Sequence, residues 1–398
     1  MEYKISKFHW FDKIPQHWQE SKISYLFDIG RGRVIAGPEL KEDGLYPVYS
    51  SQTKNDGCMG MIDTYDFDDD LITWTTDGAN AGTVFIRSGK FNCTNVCGTL
   101  KPGIDLNLKY YYYYLQFATQ FYKRPDTNGA KIMNNEMASV HALIPPISEQ
   151  SHIAAFLDRK AAQIDTIIEK KQKLLQLLDE KKKSVINEAV TGQKVWHGSA
   201  WVEPAEVKDS GVEWIGEIPV DWTVLKMRRI LELKSGDFIS ANDIEAEGVY
   251  PVYGGNGIRG YTTKFNREGT FPLIGRQGAL CGNVNYSSGK FWATEHVLLV
   301  YPLKDLNLIY YGELLEVMNL NQYSVASAQP GLSVERLLDL EILFPTVSNQ
   351  ILIADFITKQ RSKFNDIMEK VSLQIIKLQE YRQSLISEAV TGKIDVSK

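Results

Sequence analysis

The chain has 398 residues, more than one ordinary hydrophobic core organises, so two or more domains are expected. A composition of 43% hydrophobic and 23% charged residues is ordinary for a soluble globular protein. Forty-four basic against forty-nine acidic residues leave a net charge of −5. That excludes coating of nucleic acid through bulk charge, but not a reader with local basic patches whose partners supply phosphate contacts. Met1-Glu2-Tyr3-Lys4 lacks the apolar core of a secretion signal, and no apolar run approaches membrane-spanning length. Cys58, Cys93, Cys97 and Cys281 form no Cys-x-x-Cys pair and have no histidines at ligand spacing. They read as reduced thiols of a cytoplasmic protein, without zinc.

Along the chain, internal duplication is the dominant signal. Trp10 followed by Ile14-Pro15-Gln16-His17-Trp18 returns, 204 residues on, as Trp214 followed by Ile218-Pro219-Val220-Asp221-Trp222. At the same offset of 204, Gly44-Leu45-Tyr46-Pro47-Val48-Tyr49 returns as Gly248-Val249-Tyr250-Pro251-Val252-Tyr253. The offset then drops to 200: Ser88-Gly89-Lys90-Phe91 matches Ser288-Gly289-Lys290-Phe291, and Leu106-Asn107-Leu108 matches Leu306-Asn307-Leu308. Ile144-Pro145-Pro146 answers in place to Leu343-Phe344-Pro345. Between these landmarks, runs such as Thr83-Val84-Phe85-Ile86 and His296-Val297-Leu298-Leu299-Val300-Tyr301 predict short strands. Leu108 to Phe121 and Leu308 to Met318 predict short helices. The Tyr110–Tyr114 run resembles a base-stacking platform, but burial on a helix is favoured.

Each copy closes on a long helical pattern. Leu157, Ala161, Ile164, Ile168, Lys171, Leu175, Leu178, Lys182, Val185 and Ala189 recur at alternating steps of four and three. Ile357, Arg361, Phe364, Met368, Val371, Ile375, Leu378, Arg382, Leu385 and Ala389 repeat them 200 residues on. This is a coiled-coil stripe, and two such helices in one chain most simply pack on each other. A helix of about forty residues rises ~60 Å. Ser148 and Ser348 are expected as N-caps, and Gly192 and Gly392, closing Glu-Ala-Val-Thr-Gly, as left-handed stops. Gln193 to Trp214 has little periodicity and reads as a linker.

A search for catalytic chemistry finds little. No Gly-x-x-x-x-Gly-Lys-Ser/Thr loop and no Asn/Asp-Pro-Pro-Tyr/Phe stretch is present. Gly30-Arg31-Gly32-Arg33 and Gly78-Ala79-Asn80-Ala81-Gly82 read as turns, and Asp66-Phe67-Asp68-Asp69-Asp70 as a solvated loop rather than a metal site. His9, His17, His141, His152, His197 and His296 are scattered without pairing. No active site and no metal are expected on this chain.

The two copies separate a shared frame from variable tips. In the first unit the candidate DNA contacts are Ser50, Ser51, Gln52, Lys54, Asn55, Thr76, Asp77, Asn80, Lys90, Asn92 and Asn95. In the second they are Tyr253, Gly254, Gly255, Asn256, Arg259, Arg276, Gln277, Lys290, Trp292, Glu295 and His296. Arg, Gln, Asn, Asp and Glu make paired hydrogen bonds to base edges. Lys90 and Lys290 are unchanged between copies, as suits a phosphate anchor. From the residues alone, neutral drift of ordinary polar loops stands beside this reading.

Trp214-Ile215-Gly216-Glu217-Ile218-Pro219, the tip motifs and the repeated Ser-x-x-x-Glu-Ala-Val-Thr-Gly together resemble the specificity subunit of type I restriction-modification enzymes, from about Ile14 to Lys393. Tyr250-Pro251-Val252-Tyr253-Gly254-Gly255-Asn256-Gly257 resembles a typical target recognition domain; the first unit lacks the Gly-Gly-Asn-Gly loop. The fold implied is α+β: two mixed α/β recognition domains separated by two long antiparallel helices in a coiled coil, with a pseudo-two-fold internal repeat. The expected partition is domain 1 over 1–146, spacer helix 1 over 147–192, linker 193–213, domain 2 over 214–346 and spacer helix 2 over 347–398. The resemblance further implies a non-catalytic cytoplasmic subunit of a host-defence system. Each domain would read half of a bipartite, asymmetric double-stranded DNA target through the major groove. Two DNA adenine methyltransferase subunits, and motor-nuclease subunits besides, would join it, carrying the S-adenosylmethionine, magnesium and ATP. An interaction scaffold or inhibitor that reads no DNA, and an autonomous DNA-modifying enzyme, are the alternatives.

Overall fold

A computed structural model describes residues 2–8, 12–127, 129–278, 280–324 and 331–396. Trp10 of the first landmark, His9, and Ala279 of the shared Gly-Ala lie outside these residues. The chain forms two compact units, residues 1–172 with 372–398, and residues 173–371. The division falls within both long helices rather than at their ends. Each unit therefore contains one β-rich head, the first half of the helix that follows it, and the final half of the other helix.

Both heads use one strand plan. The first has an antiparallel sheet ordered Val84–Arg87, Leu71–Thr75, Cys97–Pro102, Phe27–Arg31. Every residue of Leu71–Thr75 is buried, as a strand covered on both faces requires. Its second sheet is ordered Cys58–Ile62, Tyr46–Tyr49, Lys90–Cys93, Phe67–Asp68, with the middle pair parallel. The second head repeats both orders, with Val284–Tyr286, Pro272–Gly275, Val297–Pro302, Leu231–Ser235 and with Gly257–Thr262, Tyr250–Gly254, Lys290–Ala293, Arg267–Glu268. Of the Gly30–Arg33 segment, read as a turn, Gly30 and Arg31 instead end a strand and Arg33 bridges Thr94. A Cβ on Gly32 would lie 2.2 Å from the Cys93 carbonyl oxygen, so glycine serves close strand packing there. Asp66, Asp68 and Asp69 of the acidic run face cations, Arg33 at 3.0 Å, Lys90 at 3.9 Å and Lys101 at 2.9 Å.

Register locates the change in offset. Tyr46 pairs with Ile62 and Tyr49 with Cys58; Tyr250 pairs with Thr262 and Tyr253 with Ile258. The drop from 204 to 200 therefore falls in the tip of this one hairpin, 50–57 in the first head and 254–257 in the second.

Helix α1 (Leu108–Ala118) lies against the first antiparallel sheet, and α4 (Leu308–Val317) takes that place in the second head. Asn107 and Asn307 cap them, their side-chain oxygens accepting from Tyr110 N at 3.0 Å and Tyr310 N at 3.1 Å. Of the tyrosine run, Tyr110, Tyr111, Tyr113 and Tyr114 are buried and Tyr112 is half-buried. Burial pushes all five hydroxyls above their ordinary pKa, as core side chains rather than a stacking platform. The shorter helices α2 (Asn134–Ser139) and α5 (Val334–Asp339) precede the strands that lead into the long helices.

The long helices are α3 (Ile147–Val190) and α6 (Val347–Val390), each of 44 residues. Ser148 and Ser348 sit inside their first turns rather than at the caps. The helical bonding already begins at Pro146 and Thr346, whose carbonyls accept from Gln150 N and Gln350 N at 3.0 Å. Gln150 and Gln350 then tie each start to a head, accepting from Asn107 N and Asn307 N at 2.9 Å. Every residue of the sequence-defined stripe is buried or half-buried. Within the first unit, Leu157, Ala161 and Ile164 share a core with Leu385 and Ala389, and Ile168 and Leu378 flank it. Lys171 meets Gln374 at 2.7 Å and Asp165 meets Arg382 at 2.9 Å, so the two half-helices run antiparallel. Within the second unit, Ile186, Ala189 and Val190 share a core with Ile353 and Ile357. Here Arg361 also reaches Glu313 of α4 at 2.5 Å, while Tyr286 donates to the same carboxyl at 2.9 Å. Burial nonetheless pushes the Glu313 carboxyl upward.

The repeated motifs meet where the helices end. Gly392 and Gly192 have φ of +69° and +77°, the left-handed stops expected. A Cβ on Gly392 would lie 2.5 Å from Pro15 and 3.0 Å from Trp18; on Gly192, 2.7 Å from Pro219 and 2.9 Å from Trp222. The Ile-Pro-x-x-Trp motif thus clasps the Thr-Gly end of a helix. Tyr110 donates to Val390 O at 3.2 Å and Tyr310 to Val190 O at 3.1 Å, pairing carbonyls that a helix end leaves without partners. The expected linker is also ordered. Val195–His197 pairs with Ala200–Val202, and Val207–Asp209 pairs with Glu217–Pro219 as Tyr3–Ile5 does with Lys13–Pro15. Three-residue strands are too short for periodicity to mark, and Trp201 packs against Phe356 with ring centroids 4.3 Å apart.

Gly192→Ala meets both a left-handed backbone and the Pro219–Trp222 wall. It is expected to cost about 2 kcal/mol or more of stability in urea unfolding, against a few tenths for alanine at exposed Gly37, which has neither a left-handed backbone nor any atom within 4 Å of an added Cβ.

Candidate nucleic-acid interface

In the second head, the hairpin tip turns on Gly255-Asn256 between the paired Gly254 and Gly257, a two-residue connection with Gly257 at φ +94°. Glycine is required by close approach. A Cβ on Gly275 would lie 2.1 Å from Gly255 O, and one on Gly255 would lie 3.2 Å from Gln277 O. Around this tip lies a groove of about 550 Å³ lined by Asn256, Arg259, Gln277, Leu280 and His296. His296 Nδ1 is 3.1 Å from Gln277 Oε1, Glu295 is 3.5 Å from His296 Nε2, and Asn283 donates to Asn256 at 3.4 Å. Asn256, Arg259 and Gln277 are exposed. Arg276 is half-buried, its Nη1 donating to Ser235 Oγ at 2.9 Å, and Leu332 N bonds its carbonyl at 2.9 Å. Amide, guanidinium and imidazole groups thus line one concave surface, and the amides and guanidinium are groups that can pair with base edges in a major groove.

The first head builds the corresponding end from a longer tip. Lys54 and Asn55 are exposed and Ser50, Ser51 and Gln52 half-buried. Ser50 N donates to Gly57 O at 2.9 Å, Asn80 Nδ2 to Ser51 O at 3.3 Å, and Gln52 to Cys58 O. Asp77 lies on a strand paired with Lys131, and exposed Asn95 accepts at its carbonyl from Arg31.

Several candidates belong elsewhere. Asn92 and Thr76 are both 0% exposed, donating to Thr64 O at 2.7 Å and Val96 O at 3.1 Å. Tyr253 is 7% exposed, edge-on to Phe291 at 5.5 Å, and Gly254 is buried beside it. These four are core residues: buried Phe91 and Cys93 flank Asn92, Val252 precedes buried Tyr253 and Gly254, and Thr76 follows the wholly buried Leu71–Thr75, so both faces of the chain are covered there and polarity alone does not reveal it. Trp292 is half-buried, its indole N–H donating to Asp237 O at 3.1 Å. Lys90 and Lys290 are exposed but begin strands whose far ends approach the tips, three residues or about 10 Å away. Lys90 lies 4.4 Å over the Tyr65 ring, which holds its ammonium above the ordinary value, and Lys290 lies 4.7 Å over Phe265. Asn283, Asp56 and Arg87 were not singled out in the sequence. Asp56-Gly57 carried a turn signal, whereas nothing local distinguishes Arg87 from any charged strand end.

The family described as the type I restriction modification DNA specificity domain matches residues 15–176 and 219–377. The chain is 44% identical over 144 residues to the type I restriction enzyme EcoprrI specificity subunit of Escherichia coli, covering 35% of this chain and 36% of that one. It is 41% identical over 142 residues to the N-terminus of a putative type I specificity subunit of Mycoplasma pneumoniae, covering 34% of this chain and 74% of that one. It thus spans little more than a third of the first of these relatives. In fold it is similar to a chain solved in work on complex assembly and conformational transition of the type I R-M system. The TM-score is 0.67 at 12% identity, over 96% of this chain and 99% of that one. Among the described residues, no helix is long and apolar enough to cross a membrane. With both segments matched over more than half its length, the chain belongs to the type I restriction modification DNA specificity family.

Proposed function

We propose that this chain is the DNA-reading subunit of a type I restriction-modification complex. Each head reads one half of a bipartite, asymmetric target, and the paired helices set the gap between halves and dock two DNA adenine methyltransferase subunits. The observation that carries this reading is the repeated strand frame with unlike polar tips: 50–57 against 254–257, and Asp77 against Gln277. One scaffold that presents different amides and charges at the same place is suited to reading different base pairs. Linking two weak readers makes the second contact intramolecular, and so multiplies affinity without new contacts. With a net charge of −5, phosphate neutralisation falls largely to the partners. The chain itself catalyses nothing. S-adenosylmethionine, magnesium and ATP belong to the methyltransferase and motor-nuclease subunits, and the assembly works in the cytoplasm.

Methylation mapping in cells that express the chain with a methyltransferase partner tests the reading: a split recognition sequence is expected, and methylation without sequence preference would exclude it. Inserting four residues after Lys173 is expected to change the gap between half-sites while both half-sequences persist; altered half-sequences would count against the helices as a spacer. Gln277→Ala is expected to relax one half only, by ~1–3 kcal/mol for a lost bidentate contact. Asn92→Ala, whose parent side chain is buried, is expected to lower stability by ~1–3 kcal/mol in urea unfolding and leave base preference intact.

A further inference from the structure

The first head carries a buried cation that bonds a residue of its tip through both side chain and backbone. Arg87, 3% exposed at the end of Val84–Arg87, points its guanidinium back toward the hairpin. Its Nη1 donates to Asp56 Oδ2 at 2.6 Å, Nη2 to Asp56 O at 2.7 Å and Nε to Thr73 Oγ1 at 3.3 Å. The guanidinium carbon lies 3.5 Å from the Tyr49 ring centroid and 4.4 Å from that of Phe85. A fork seated between two rings and bonded to one residue through both side chain and backbone has little freedom left.

The residue it grips is left-handed. Asn55 and Asp56 adopt φ of 50° and 54°, values that Asn and Asp reach more readily than other residues with side chains but less freely than glycine. Gly57 follows at φ +79°, and a Cβ there would lie 3.0 Å from Arg87 Nη2, so glycine leaves room for the guanidinium. The second head supplies the contrast. At the matching place stands Ser287, which bonds Phe271 N at 3.0 Å at the sheet edge, and the tip is the two-residue Gly255-Asn256 turn. The buried arginine accompanies the long tip, where a glycine-rich turn no longer sets the backbone.

We propose that Arg87 is a positioning residue. From inside the head it fixes the 50–57 tip in the conformation that presents Lys54 and Asn55 to DNA, and thereby sets base preference in one half-target without touching a base. This rests on the reading given under Proposed function. An ion pair between a buried guanidinium and an exposed carboxylate adds little net stability once desolvation and solvent screening are counted, so its role here is to select one loop conformation.

The test uses the full chain with its methyltransferase partner and a pool of duplexes randomised across both half-sites, bound, recovered and sequenced. Two variants are compared with the parent. Arg87→Met keeps the apolar stem against Tyr49 and Phe85 but removes the fork. Asp56→Gly removes the carboxylate, 71% exposed, accepts the left-handed backbone without strain and leaves every buried side chain in place. Both are expected to lose about tenfold discrimination per base at positions read by the tip, with the other half-target and binding to unrelated DNA unchanged. Intact preferences in both halves of Asp56→Gly, or a lowered melting temperature as the sole change in Arg87→Met, would overturn the proposal. Should Arg87→Met not fold, Asp56→Gly decides alone. A parent chain that enriches no sequence would instead overturn the DNA-reading function itself, and the clamp with it.

Discussion

Everything in each unit depends on how the C-terminus of a long helix is received by a head. The helix stops at a left-handed glycine, Gly192 or Gly392, and the space a side chain would need is filled by the proline and tryptophan of Ile-Pro-x-x-Trp. The last-turn carbonyls of Val190 and Val390 are met by tyrosine hydroxyls from α4 and α1. A helix end buried without such partners would carry unsatisfied backbone groups at a cost of kilocalories per group. The clasp removes that cost and fixes where the helix leaves the head. The other helix leaves the same head from a start pinned by Gln150 or Gln350. Each head therefore holds two half-helices side by side, and the antiparallel stripe follows from the two anchor points as much as from its own apolar residues.

With the frame held in this way, variation is free to concentrate at the far end of the sheets. Strand orders and registers agree between heads, and the difference in chain length is confined to one hairpin tip. The tips then solve the same problem by different means. In the second head, glycines permit a tight turn and close backbone approach. In the first, a buried arginine bonds Asp56, the second of two adjacent left-handed residues that have side chains. A rigid frame with interchangeable tips is the physical form expected of a reader whose targets differ between its two halves. The proposed function rests on that division between what is constant and what is not.

Several things were legible in the sequence itself. Duplication, the offset change, the 3.5-residue stripe, the terminal glycines and the burial of the tyrosine run all followed from spacing. Spacing along a chain is a local property that folding preserves. Orientation was harder to read. Asn92, Thr76 and Tyr253 looked like surface chemistry because their side chains are polar or amphipathic, yet they sit in segments covered on both faces. Short strands in the 193–213 segment fell below the length at which a period is detectable.

The sequence by itself determined that this is a two-fold repeat of β-rich heads and long helices, because hydrophobic period and turn chemistry are written residue by residue. Only tertiary structure decided that Ile-Pro-x-x-Trp and Thr-Gly are two sides of one joint, that Gln277 and His296 share a groove with Asn256, and that Arg87 reaches Asp56. Those pairings join residues far apart in the chain. They depend on strand register and sheet order, which no local pattern encodes.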